Sequence, residues 1–351
     1  MTSTTSAAPV VQPPKHTLGT ALSSFTRRPE MGALIGAVAV YIFFAVFGGT
    51  QFLSPAGTSS WLNIFADLVI VALPVSLIMI AGDLDLSVGA VIAGSSMTLA
   101  LASGTFGLPM WLGIILALIF GSLVGFANGW ITTRTGLPSF IVTLAMMFSI
   151  MGLTLGVTSL LAGTTNIAIE PDETTKALLG SFIDGQFSTT VIWALLFIAV
   201  VAWIQSVSPW GNWIYAIGGD AISARAQGIQ VAKVKTWLFV SSGFAAAFVG
   251  VTQTITYNGA GVSKGQSFVF NAIIAVVIGG VLLTGGYGSV FGVVLGAITF
   301  SVVSQGIYYT PWDANWASLI IGVLVLAAVL TNNMFRRLAL TAGTKMKGSK
   351  S

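Results

Sequence analysis

Charged residues, cysteine and histidine are all scarce in this chain of 351 residues. Charged side chains make up 7% of it, whereas an ordinary soluble domain carries about 25%. A chain with so little charge cannot cover a water-facing surface of its size. The absence of cysteine excludes disulfides and thiolate metal sites. A single histidine, His16, argues against a transition-metal site built on imidazoles.

Sequence patterns for nucleotide binding and hydrolytic chemistry are also missing. The chain has no phosphate-binding loop of the form G-x-x-x-x-G-K-[ST], so it does not bind ATP by that route. It has no H-E-x-x-H motif and no nucleophile elbow. We therefore expect no cofactor bound by this chain. Its pI of about 9.4 comes without a basic stripe interleaved with aromatics, so we expect no nucleic-acid partner.

Apolar residues are abundant instead, at 55% of the chain, and the mean hydropathy is +0.93. A membrane-spanning helix needs roughly 20 mostly apolar residues. The sequence predicts an all-α polytopic membrane protein with about ten transmembrane helices. They are 31–52, 61–81, 87–102, 109–131, 138–161, 189–207, 236–258, 269–284, 287–309 and 315–334. The third and eighth are short and flanked by glycines, which indicates broken or re-entrant helices.

The distribution of basic residues predicts the orientation. With the N-terminus in the cytoplasm and ten crossings, twelve Lys and Arg residues fall inside and only Lys176 and Lys264 fall outside. The positive-inside rule favours this arrangement, with both termini cytoplasmic. We predict a disordered cytoplasmic tail over 1–28, one transmembrane domain over 29–335 and a basic cytoplasmic tail over 336–351.

Few acidic residues lie within the predicted spans. Asp67 lies in the second, and Asp83 and Asp85 lie at the break that follows it. Intramembrane carboxylates are costly, so they are functional candidates. No Lys or Arg is predicted deep in a span to pair with them. In the segment GDLDLSVG at 82–89, the carboxylates and Ser87 could cap the next helix, contact a solute or form an interface.

A polar cytoplasmic loop follows the sixth predicted span. The pattern over 215–235 predicts a turn and then a short helix from about Asp220 to Gln227. Gly228 is predicted to cap the C-terminus of this helix. An Ala-rich helix of this kind suits docking into a groove on another protein. The alternative is a surface helix on which Arg225 is merely solvated.

Two further segments combine small residues with isolated polar ones. Asn271 opens NAIIAVVIGG at 271–280, and glycines at 285–292 indicate a sharp break between helices. Phe140 and Thr143 lie in GLPSFIVTLAMM at 136–147. Both could face a translocation path, although packing is the alternative.

Four segments in this order resemble the membrane permeases of ribose-type sugar importers of the ATP-binding-cassette superfamily. They are GDLDLSVGA at 82–90, GLPSFIVTLAMM at 136–147, YAIGGDAISARAQGI at 215–229, and NAIIAVVIGG with GGYGSV at 271–290. The sequence departs from that family at Asp83, where a second Gly is common, at Leu84, where Ile is common, and at Asn271, where an acidic residue is common.

The resemblance implies partners as well as a fold. It implies cytoplasmic ATP-binding cassette subunits that use ATP, an extracytoplasmic sugar-binding protein, and a second permease copy or sister permease, all at a bacterial plasma membrane. The cassette-coupling loop would comprise Gly218, Gly219, Asp220, Ala224, Arg225, Gly228 and Ile229. The translocation path or helix break would comprise Asp67, Asp83, Asp85, Ser87, Phe140, Thr143 and Asn271.

The sequence therefore predicts a transport subunit, not an enzyme, that translocates a sugar or polyol across the bacterial inner membrane. A permease for branched-chain amino acids or nucleosides is the closest alternative. An ion-coupled secondary carrier is the alternative from a different class.

Overall fold

A computed structural model describes residues 30–323, 326–327 and 330 of the chain. Its α-helices are numbered α1 to α13 in chain order, and the last helical stretch that the structure describes is labelled α14. They are α1 (Glu30–Phe47), α2 (Gly49–Leu53), α3 (Pro55–Ile80), α4 (Val88–Ala100), α5 (Met110–Thr135), α6 (Ser139–Ala162), α7 (Glu173–Leu179), α8 (Thr190–Ser206), α9 (Pro209–Gly219), α10 (Ala221–Ala226), α11 (Val231–Thr256), α12 (Phe268–Ile278), α13 (Val290–Gly306) and α14 (Ala314–Val323).

Seven helices in the described ranges are long and apolar enough to cross a membrane. Helices α8 and α9 make an eighth span if the pair is counted as one, although they bend by 70° at their junction. Helices α12 and α14 are apolar but shorter. Each of the ten predicted segments thus overlaps an observed helix, and the polytopic all-helical prediction is confirmed. The count of ten crossings and the cytoplasmic termini stay predictions, and both predicted tails lie outside the described residues.

The third predicted span is longer than the sequence indicated. Helix α4 continues through a turn of π-helix at Leu101–Thr105, which makes a span of 18 residues over Val88–Thr105. The polar stretch Ser103–Thr105 concealed this last turn, because an apolar run ends before it. The prediction of a short helix was therefore wrong here. It agrees with the structure at α12, which has 11 residues.

Helix α3 forms the centre of the bundle. From Leu68 to Ile80 every side chain is buried, and the helix packs against α8, α11, α12 and α13. Helices α5 and α6 instead present long apolar side chains outwards, such as Leu123, Phe148 and Leu160. An apolar exterior of this kind suits lipid as the surrounding solvent, since hydrocarbon imposes no cost on it.

The two ends of the bundle differ in structure and charge. At one end, β1 (Asn166–Ala168) pairs antiparallel with β4 (Gly259–Gly261), and β2 (Phe182–Ile183) pairs with β3 (Phe187–Ser188). The acidic loop that contains α7 lies at this end, beside Asn258 at the end of α11. Of the described basic residues, Arg134, Arg225, Lys233 and Lys235 lie at the opposite end.

Candidate functional site at the helix break

The chain is extended between α3 and α4, and two hydroxyls of α6 hold its backbone. Ser139 Oγ accepts a hydrogen bond from Leu84 N at 3.0 Å, and Thr143 Oγ1 accepts one from Leu86 N at 3.1 Å. The single hydroxyl proton of Thr143 is shared between the Ser139 carbonyl at 2.9 Å and the Leu84 carbonyl at 3.3 Å. These bonds satisfy backbone groups that have no helical partner inside the bundle. The GLPSFIVT segment is therefore hydrogen-bonded directly to the backbone of the GDLDLS segment.

Asp85 lies at the centre of a buried polar cluster. One oxygen, Oδ1, accepts from Ser87 N at 2.9 Å and Ser87 Oγ at 2.6 Å, and Oδ2 accepts from Ser242 Oγ at 2.8 Å. Asn128 Nδ2 donates to Ser87 Oγ at 2.8 Å. Asp85 is only 1% exposed. Buried carboxylates need such donors, so the cluster fixes the break to α5 and α11.

Asp83 forms the one ion pair found among the described residues. Lys235 Nζ lies 2.8 Å from Asp83 Oδ2. The sequence predicts no cationic partner for Asp83, because the span after Lys235 is predicted to begin only at residue 236. Helix α11 begins at Val231, five residues before the predicted start of that span at 236, so Lys235 lies in its second turn and reaches the break.

Helix α9 packs against the ends of two other elements through Gly218. A Cβ at this position would overlap the Ile80 carbonyl oxygen and lie 2.6 Å from Gly286 N. Gly286 N in turn donates to the Ile80 carbonyl at 2.8 Å, and Tyr215 Oη donates to the Gly288 carbonyl at 2.6 Å. The end of α9, the end of α3 and the glycine-rich loop before α13 therefore meet in backbone contact.

The predicted loop helix is α10. Asp220 caps it by accepting from Ile222 N at 2.9 Å and Ser223 Oγ at 2.6 Å, and these hydrogen bonds, that of Ser223 first, hold the pKa of the carboxyl below its usual range. Gly228, with φ of +88°, follows the helix as predicted. Arg225 is exposed, and Ile222 is 80% exposed.

Within α10 and the residues that follow it, Ala224 faces inward. It is buried, and its carbonyl accepts from Ile229 N at 3.1 Å. Gly219 points into open space, with no atom within 4 Å of the position of a Cβ. The predicted coupling residues thus divide into a buried set that positions α10 and an exposed set that a partner could touch.

The remaining candidate residues lie apart from this cluster. Asp67 Oδ2, on the half-buried face of α3, accepts from Gln253 Nε2 of α11 at 2.8 Å. Phe140 is 48% exposed on α6, and Asn271 is half-buried on α12. Thr143, in contrast, is fully buried. The structure therefore does not bring all the predicted path residues together.

The four sequence segments converge at one end of the bundle around Ile80 to Ser87. Two members of the cluster, Asn128 and Ser242, are not among the site residues predicted from the sequence. Asn128 is a single polar residue among apolar and small neighbours in α5, and Ser242 belongs to a pair of serines in the apolar part of α11. The cost of burying an amide in a span is the signal that could have singled out Asn128.

A family model described as the permease component of branched-chain amino acid transport systems matches residues 57–329. The chain belongs to this family of permeases. The permease is 30% identical over 319 residues to the fructose import permease protein FrcC of Rhizobium meliloti, covering 89% of this chain and 87% of the relative.

Two further relatives extend the comparison. The permease is 31% identical over 269 residues to the ribose import permease protein RbsC of Haemophilus influenzae, covering 75% of this chain and 81% of the relative. It is 27% identical over 361 residues to the xylose transport system permease protein XylH of Escherichia coli, covering 86% and 90%. Together with the apolar helices, these matches identify a multi-pass permease of the bacterial inner membrane.

Proposed function

We propose that this permease is the membrane subunit of an ATP-binding-cassette importer and translocates a sugar or polyol. One observation carries the proposal. The exposed helix α10 directly follows α9. Gly218 of α9 lies in close contact with the end of α3 and with the loop before α13. The relatives named as fructose, ribose and xylose permeases support the solute class.

The cassette subunit docks on α10 in this proposal. Ile222 offers an exposed apolar side chain and Arg225 an exposed cation, both suited to a groove on another protein. Asp220 and Gly228 fix the two ends of α10, so the helix moves as a unit with the end of α9. A displacement of α10 then reaches α3 through Ile80, and the break at 82–87 follows.

The lysine at the start of α11 provides a second mechanical link. Lys235 follows the α10 loop by a few residues and binds Asp83 in the break. The buried cluster around Asp85 keeps the same segment fixed to α5 and α11. In this proposal Asp83, Asp85, Ser87 and Thr143 position the break, and none of them touches the solute.

This chain performs no covalent chemistry in the cycle. The partner cassette binds and uses ATP, and a second permease completes the path. The basic end of the bundle, with α10, faces the cytoplasm, as the positive-inside rule requires. The strand pairs and the acidic loop face outwards, where a binding protein delivers the solute. Asp67, Phe140 and Asn271 are the candidates for lining the path.

Reconstitution with and without the cassette subunit tests the proposal. The permease is purified gently from native membranes, and its co-purifying proteins are identified by mass spectrometry. The complex and the isolated chain are then placed in liposomes with labelled fructose, ribose and xylose. Uptake that requires the complex, and ATP on the side of the cassette subunit, would support the proposal. Uptake by the isolated chain without ATP would overturn it in favour of a secondary carrier.

The same liposomes distinguish the nearest alternative. The description of the matching family names branched-chain amino acids, whereas the three relatives are named for sugars. Labelled leucine is therefore added in parallel. ATP-dependent uptake of leucine, with no uptake of any of the sugars, would show that the solute is an amino acid. The assignment as an importer would still hold.

A further inference from the structure

A groove with a volume of about 480 Å³ lies between α5 and α11 at the basic end of the bundle. The two helices touch beside it, where a Cβ at Gly129 would lie 2.6 Å from Thr236 Cα. Because the backbones are this close, the larger side chains on either side project outwards and form the walls. The groove therefore opens on the outer surface of the bundle, where the large side chains that line it are exposed.

Both helices present the same order of residues along this groove. On α5, Phe126, Trp130 and Arg134 follow at four-residue spacing, and on α11 Lys233 is followed four residues later by Trp237. Residues four apart lie on one face, one turn above the other. Since α5 ends and α11 begins at this end of the bundle, the two cations lie at the rim and the two indoles lie one turn deeper.

The rim cations have no anionic partner within the described part of the chain. The ion pair formed there joins Lys235 to Asp83 and uses neither Arg134 nor Lys233. No acidic residue is among those that line the groove. A guanidinium and an ammonium side by side bind a phosphate group well, because one offers paired donors and the other a compact charge.

The rest of the groove has the properties of a membrane interface. Trp130 is 52% exposed and Trp237 is 55% exposed. Trp side chains at this position are typical of the level of lipid headgroups. Deeper in the groove, Phe126 and Val240 give an apolar wall against which an acyl chain can lie.

We propose that this groove is a binding site for an anionic phospholipid of the cytoplasmic leaflet. Arg134 and Lys233 bind the headgroup phosphate, the indoles of Trp130 and Trp237 flank it, and an acyl chain follows Phe126 into the membrane. Basic pockets between helices on the cytoplasmic side have the charge to hold such headgroups. The inference uses the orientation proposed above, and it depends neither on the transported solute nor on the cassette subunit.

Native mass spectrometry of the full chain tests the site. The permease is purified in mild detergent and titrated with phosphatidylglycerol or with phosphatidylcholine of the same acyl chains. We expect the wild type to retain phosphatidylglycerol preferentially. The double variant Arg134→Gln/Lys233→Gln should bind it about twenty-five-fold more weakly, since each cation near a membrane surface contributes a factor of roughly five.

Matched variants and a competing anion distinguish a lipid site from a general attraction between charges. The double variant Lys176→Gln/Arg225→Gln removes two charges outside the groove and should keep the wild-type lipid affinity. Trp130→Ala/Trp237→Ala keeps both cations and should still weaken binding. Inorganic phosphate at millimolar concentration should not displace the lipid, and displacement would identify a free-phosphate site instead.

Besides displacement by phosphate, three results of the lipid titration would overturn the proposal. They are equal retention of the two lipids, equal weakening by the control double variant, and retention that is unchanged when the groove cations are removed. Thermal unfolding of each variant is measured before lipid is added, which checks that the variant is folded like the wild type. Copy-to-copy crosslinking from a cysteine introduced at Val240 would identify a second permease as the occupant and would also overturn it.

Discussion

Lys235 Nζ and Asp83 Oδ2 are 2.8 Å apart, and only 16% and 10% of the two side chains are exposed. The pair joins the second turn of α11 to the extended segment between α3 and α4. A partly buried pair of this kind contributes through the cost of leaving either charge alone rather than through its own attraction. It therefore specifies where α11 begins relative to the break.

Removal of one member of this ion pair should destabilise the fold more than removal of both. We expect Asp83→Asn to lower the free energy of unfolding by about 2 kcal/mol, because the Lys235 ammonium loses its partner in a poorly hydrated site. Asp83→Asn/Lys235→Met should recover most of this loss. Thermal unfolding of the purified permease measures it, with Asp184→Asn in an exposed loop as the control. A double variant less stable than Asp83→Asn would contradict the assignment.

Thr143 and Thr158 provide a matched test of the α6 clamp. Both are fully buried on α6, but Thr143 Oγ1 bonds to the break, whereas Thr158 Oγ1 has no hydrogen-bond partner among the described residues. Thr143→Val leaves the Leu86 N–H without an acceptor and should cost about 1–3 kcal/mol. Thr158→Val should be close to neutral. Equal effects in thermal unfolding would mean that the hydroxyl of Thr143 does not hold the break.

Adjacent glycines give a test of the link between α9 and α3. Gly218→Ala places a methyl group against the Ile80 carbonyl and Gly286 N, whereas Gly219→Ala adds one in open space. Since packed backbones cannot absorb a methyl group without moving, Gly218→Ala should strongly reduce ATP-driven uptake at normal protein levels. Gly219→Ala should retain uptake. Equal activity of the two would contradict a rigid link through Gly218.

The sequence predicted these elements better than it predicted their contacts. Apolar runs located the long helices, and Gly228 located the turn that follows α10, since both signals are local. The pairing of Lys235 with Asp83 could not be predicted, because it depends on where α11 begins, and polar Lys233 and Lys235 conceal that start. The cluster around Asp85 needs Asn128 and Ser242, which come from two other helices, and no local pattern indicates that these helices meet at the break.

Exposed residues of α10 should determine docking without affecting the fold. We expect Ile222→Ser and Arg225→Glu to reduce the amount of cassette subunit that co-purifies, because both side chains are exposed at the basic end of the bundle. Each should leave thermal unfolding of the isolated permease unchanged. Gln230→Ala, at an exposed position beyond α10, is the control. Undiminished co-purification with uptake intact would remove α10 as the docking site.

The stability of the N-terminal cap of α10 depends on pH through Asp220. Its carboxylate is stabilised by Ser223 and Ile222, so its pKa is lowered in the folded chain. A lowered pKa means that the stabilising effect is fully present at neutral pH and is lost as the pH falls through the folded value. Asp220→Asn keeps the acceptor oxygen and should retain co-purification, whereas Asp220→Ala should reduce it. Equal loss in both would indicate that the charge, not the cap, matters.

Asn63 and Asp67 lie one turn apart on α3, and their contacts suggest different roles. Asn63 has a structural role, whereas Asp67 is a candidate for contact with the solute. Asn63 accepts from Ser188 N and donates to the Gln186 carbonyl, both at 2.9 Å, so its amide holds the hairpin of β2 and β3. Asp67 Oδ2 accepts from Gln253, and the side chain is only half-buried. A carboxylate with free acceptor capacity suits the hydroxyls of a sugar or polyol.

We therefore expect Asp67→Asn to raise the KM of ATP-driven uptake by about ten-fold, since a hydrogen bond to a charged group contributes more than one to a neutral amide. The protein level and the maximal rate should change little. Asn63→Leu should do the reverse, lowering stability while KM stays constant among the molecules that fold. Uptake kinetics normalised to protein level measure both. An unchanged KM in Asp67→Asn would place the solute path elsewhere and leave Asp67 as a structural partner of Gln253.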